Sequence, residues 1–154
     1  MNRNKRDYFD AFIRNASVVL AIAFTASPAL SQSSSTISLE VSGFKNTRGT
    51  LNCRLFTKPA DVPDGEGMVT VRVLVAGPTT SCTFSNLEPT TYAVAVVHDE
   101  NSNGKLDKNF VGVPSEGYGV SNNKTYALSA PKWDESIFAL VPSESKTLQV
   151  KLRY

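Results

Sequence analysis

The sequence predicts an all-β protein, an antiparallel β-sandwich of about seven strands. Three observations carry this: short stretches alternate apolar and polar residues with a period of two, turn residues separate them, and no segment sustains a helical period. From Thr36 to Ser42, Ile37, Leu39 and Val41 alternate with Ser38 and Glu40, and Leu51, Cys53 and Leu55 repeat the pattern. Val69, Val71, Val73 and Val75 predict a third strand, ended by Ala76, Gly77 and Pro78. Ser81 to Phe84 is a short fourth, with Cys82 and Phe84 on one face, closed by a turn at Asn86 to Pro89. Thr91 to His98 is the most apolar stretch, and small Ala93 and Ala95 on its second face predict a central strand covered on both sides. A seventh strand is expected within Ser136 to Val141, and Leu148, Val150, Leu152 and Tyr154 mark the closing one.

The N-terminus has the order of a secretory signal. Arg3, Lys5, Arg6 and Arg14 precede a small and apolar run from Ala16 to Phe24, too short to span a bilayer. Pro28 follows, and the small residues at Ala29 and Ser31 place cleavage before Gln32. The expected organisation is a cleaved signal at 1–31, a flexible serine-rich lead-in at 32–35 and one sandwich domain at 36–154. This assigns a periplasmic or secreted location, with a Gram-negative periplasm as the narrower expectation.

Removing 1–31 takes four of the 16 basic and two of the 14 acidic side chains, leaving 12 of each. The mature chain is therefore about neutral, which gives nucleic acid or an anionic membrane surface no electrostatic footprint. A monomer is expected, with no membrane span after cleavage. Both cysteines, Cys53 and Cys82, lie in the mature part, and an oxidising compartment favours a disulfide over two free thiols. Two cysteines and one histidine do not fill a zinc shell without carboxylates.

The densest set of oxygen ligands follows the central strand, from Asp99 to Asp107. Oxygen-bearing Asp99, Asn101, Asn103 and Asp107 fall at loop positions one, three, five and nine, and Gly104 at six permits a sharp turn. In a calcium loop these would give side-chain oxygens and Lys105 a backbone carbonyl. Position twelve is Phe110 where that pattern wants a bidentate Glu, so the shell is incomplete unless Glu116 or water returns to it. The expected affinity for Ca2+ is weak, roughly 0.1 to 1 mM. The plainer alternative is a tight turn built by Asn101, Asn103 and Gly104.

Phe110 to Tyr118 reads as a packed Ω-like loop, with Phe110, Tyr118 and Tyr126 as lids over a core edge. The sole histidine, His98, stands beside Asp99, but no serine lies in a nucleophile elbow. No catalytic residue is assigned, and His98 is read as a structural, hydrogen-bonded side chain.

The stretches Phe84 to Leu87, Tyr92-Ala93-Val94, His98 to Asn101, Asn103 to Asp107, Gly112 to Gly119 and Ser121 to Asn123 carry a resemblance. Together they resemble the bacterial family called domain of unknown function 2141, over Ile37 to Tyr154. The resemblance implies secreted proteins with a transthyretin-like, carboxypeptidase-regulatory-like or immunoglobulin-like sandwich and no established reaction. The expected function is a non-enzymatic binding or structural module whose loops meet an envelope protein or glycan. Two alternatives stand beside it. A small hydrolase would gather His98, Asp99, Glu100 or Glu116 round a pocket, where a module leaves them solvated. A carbohydrate-binding module would expose Trp133, Tyr118 and Tyr92 as a platform.

Overall fold

The computed structural model describes residues 34–59, 62, 65–124 and 129–154. The signal expected at 1–31, the cleavage expected before Gln32 and Tyr126 lie outside the described residues. Among the described residues the strands are β1 Ser35–Ser42, β2 Thr50–Phe56, β3 Val69–Leu74, β4 Thr79–Leu87, β5 Thr91–Asp99, β6 Gly117–Val120, β7 Phe138–Ala139 and β8 Ser145–Lys151. One sheet has the order β4-β1-β8 and the other β3-β2-β5-β6, with β7 also paired to β5. The protein is an all-β sandwich.

The alternating positions meet between the sheets. Ile37, Leu39 and Val41 of β1, Phe84 of β4 and Val150 of β8 face Leu51 and Leu55 of β2 and Tyr92, Val94 and Val96 of β5, all buried in one cluster. Truncating one of these leucines to alanine costs about 2 to 5 kcal/mol, because transfer energy and a cavity add. Cys53 on β2 and Cys82 on β4 form a disulfide, so it staples one sheet to the other across this core. In the chain-entropy model such a closure contributes about 3 to 4 kcal/mol.

β5 is covered on its second face as well. Phe56, Ala93, Ala95 and Val120 form a smaller buried cluster, roofed by Val62, Trp133 and Ile137. The roof is a single helical turn, α1 Trp133–Ser136. This differs from the strand expected across Ser136 to Val141: Ser136 Oγ donates to the Lys132 carbonyl at 2.9 Å and the Ile137 amide closes onto Trp133, leaving two residues for β7. Buried Ser121 fills the gap between β6 and β7, where its Oγ accepts from the Val94 amide and donates to the Ser136 carbonyl.

Two further differences concern the strands. β1 begins at Ser35, whose Oγ donates to the Val141 carbonyl, so the last residue assigned to the lead-in is ordered and buried. β8 runs parallel to β1, pairing Leu39 with Leu148 and Val41 with Val150, whereas β1 and β4 are antiparallel. β3 is an edge strand with Leu74 77% exposed. Beyond β8, Arg153 and Tyr118 exchange two backbone hydrogen bonds of 2.9 Å, joining the two sheets along the β6 edge.

Candidate functional site

Strand parity decides what each residue at the end of β5 can reach. His98 falls on the inner face with Val94 and Val96, and Asp99 on the outer face with Ala93, Ala95 and Val97. The chain then turns back over the outer face of β2. Gly49 makes room for this crossing: its φ is 71°, and a Cβ there would lie 2.0 Å from the Asp99 carbonyl oxygen.

Asp99 is 1% exposed and organises the turn. Its Oδ1 accepts from the Asn103 amide at 2.9 Å, and its Oδ2 accepts from the Gly104 amide at 2.7 Å and Asn52 Nδ2 at 2.9 Å. Asn101 Oδ1 accepts from the Asn103 amide and Asn103 Oδ1 from the Lys105 amide. These local bonds orient both amide groups, and their nitrogens donate to the two oxygens of Asp107 at 2.7 and 3.0 Å. Buried Glu116 spans the same turn, accepting from the Glu100 amide at 2.8 Å and the Asp107 amide at 3.0 Å.

The structure thus brings together Asp99, Asn101, Asn103 and Asp107, and takes only the backbone of Lys105. The loop closes on its own hydrogen bonds: N–H groups of Asn101 and Asn103 face Asp107, and both oxygens of Asp99 accept N–H donors. Among the described residues, no three acidic, histidine or cysteine side chains are placed to hold a metal. Glu116 does return to the loop, but to its backbone amides.

Beyond Asp107 the chain rises into a finger. The Ser115 amide donates to the Asp107 carbonyl at 2.9 Å, Lys108 pairs with Pro114, and the Asn109 amide donates to Val113 at 2.8 Å. Asn109 Oδ1 takes the amides of Val111 and Val113, which leaves the Phe110 side chain pointing away. Phe110 is 101% exposed, Val111 65% and Val113 48%. The reading of Phe110 as a lid over a core edge is therefore corrected: the turn that Asn109 builds holds it in solvent.

The family model described as an uncharacterized protein conserved in bacteria (DUF2141) matches residues 39–149. The chain belongs to this family. No curated protein and no solved structure matches the chain. In this DUF2141 member, the segment from His98 to Asn123 that carries the resemblance is the turn, the finger and β6.

The alternatives drawn from the sequence meet the same geometry. His98 is fully buried, with Nε2 2.8 Å from the Arg48 carbonyl and Nδ1 2.6 Å from the Tyr154 hydroxyl. A carbonyl only accepts, so Nε2 carries a proton, while the Tyr154 hydroxyl lies against Nδ1 and its oxygen accepts the Lys45 amide. Burial raises the Tyr154 phenol above its ordinary pKa, keeping it protonated at neutral pH. Asn46 and then Arg48 hold the Glu100 carboxyl below its ordinary range. His98, Asp99 and Glu116 are thus neither gathered at a pocket nor solvated as a module was expected to show them: they hold the fold. Tyr92 is 1% exposed in the core and Trp133 packs on the smaller cluster, so the three-ring sugar platform is not formed.

The sequence reading missed Asn52, Asn109 and the outward Phe110. A polar Asn52 in the middle of an apolar strand was a legible signal that its outer face is covered by something polar.

Proposed function

We propose that this DUF2141 member is an exported, non-enzymatic envelope module that docks a partner protein through the Phe110 finger. One observation supports this above the others: a wholly exposed aromatic ring stands on a finger pinned to a hydrogen-bonded base. Exposed apolar groups on an ordered loop are a recurrent mark of recognition. Burying such a ring contributes about 1.5 to 3 kcal/mol, and its order in the free chain lowers the entropic cost of docking. The aliphatic Val111 and Val113 exposed beside the ring suit an apolar cleft in a protein. The disulfide is compatible with an oxidising compartment.

The test is a photo-crosslinking residue at position 110 in the native bacterium, with position 151 as control. The reading expects one discrete adduct specific to position 110, lost when Val111 and Val113 are both changed to Ser. Identical patterns at 110 and 151 would contradict it. Mass spectrometry of the envelope form should show a chain beginning at Gln32.

A further inference from the structure

Arg54 of β2 and Arg72 of β3 converge on one point of the outer face. Their strands pair Arg54 with Thr70 and Asn52 with Arg72, which sets the two arginines diagonally on the same side. Arg54 Nη2 donates to the Gly104 carbonyl at 3.0 Å, and a Cβ added at Gly104 would lie 3.2 Å from Arg72 Nη2. Both guanidiniums therefore flank the same turn, in a groove of about 360 Å³ that is also lined by Glu66, Met68 and Thr70.

Two like charges held near one another repel, and an anion between them reverses the sign of the interaction. Arg72 has no hydrogen-bond or ion-pair partner among the described residues, and Arg54 uses a single N–H on Gly104. The remaining N–H groups form planar forks, which match the oxygens of a carboxylate or a phosphate. Glu66 leaves the lining with a net positive charge, and its carboxylate is an acceptor for ligand hydroxyl groups. Met68, 51% exposed, supplies an apolar edge.

We infer that this groove binds a small oxyanion-bearing ligand, about one sugar ring in size, with a carboxylate or phosphate between Arg54 and Arg72. Its hydroxyl groups meet Glu66 and Thr70 and its apolar edge meets Met68. The site stands apart from the Phe110 finger, and ligand titration reads it without reference to any protein partner.

The test is titration of the mature, oxidised protein with inorganic phosphate and, separately, galacturonate, followed by amide shifts and calorimetry. Saturable binding of either probe is expected, with shifts at Gly67, Thr70 and Gly104. Affinity should fall about tenfold or more in Arg72→Gln, since a hydrogen bond to a charged group is lost. It should also fall in Arg54→Lys, which keeps the charge and loses the fork, and be unchanged in Lys151→Gln on the other sheet. Binding of phosphate alone would identify a phosphoryl source, and binding of galacturonate a carboxylated one. Failure of both probes to saturate, or equal affinities in wild type and Arg72→Gln with unchanged thermal unfolding, would overturn the inference.

Discussion

Asp99 and Phe110 belong to one continuous loop system, yet the carboxylate is 1% exposed and the phenyl ring 101% exposed. Ordinary partition would place them the other way round. The difference separates two kinds of work. Asp99 is buried because three N–H donors need its oxygens, and each bond formed away from water is costly to leave unmade. Phe110 is outside because Asn109 binds the amides of Val111 and Val113 and the turn so formed carries the ring outward. The carboxylate builds the support, and the aromatic ring is what that support presents.

Asp99→Ala orphans the Gly104 amide and Asn52 Nδ2 and leaves the Asn103 amide only Asn101 Oδ1, and it should cost about 3 kcal/mol or more, measured by denaturant unfolding. Next, Glu116→Gln places an N–H2 group against one of the two amides that the carboxylate accepts. The expected loss is about 1 to 3 kcal/mol in the same assay.

Glu100 sharpens the contrast through pH. Its folded carboxyl lies below the ordinary value because Asn46 and Arg48 bond the charged form. The group therefore contributes stability above its unfolded pKa, and that stability is lost as pH falls through the depressed folded value. Asn46→Ala should destabilise the protein at neutral pH, and the gap from wild type should close in acid. On the exposed side, Phe110→Ser should change stability by no more than about 0.5 kcal/mol while abolishing the adduct formed by a photo-crosslinking residue at the neighbouring position 111.

The strands were legible because a one-faced core forces a period of two, which β1, β2 and β8 show, and because β5 is apolar on both faces, as a central strand is. Direction was not, since parallel and antiparallel strands alternate alike: nothing in Leu148 or Val150 states that β8 runs with β1. The spacing from Asp99 to Asp107 correctly marked a sharp turn. Its chemistry depends on which way two asparagine amides face, and Asn101 and Asn103 are set by backbone amides of the folded loop. Phe110 was misplaced because hydrophobicity alone favours the interior, whereas Asn109 fixes the direction of the turn. Cys53 and Cys82 were read as a pair, and the fold adds that they lie on opposite sheets.

The Asp99 turn is closed by its own hydrogen bonds. Thermal unfolding of the mature, oxidised protein in millimolar calcium and in chelator, beside Asp99→Ala, tests it most directly, since any ligand of the folded state raises its Tm. Closure by these bonds alone gives the same Tm for wild type in both solutions and an equally lowered Tm for the variant in both. A rise with calcium in wild type that vanishes in Asp99→Ala would contradict it and make the turn an ion site.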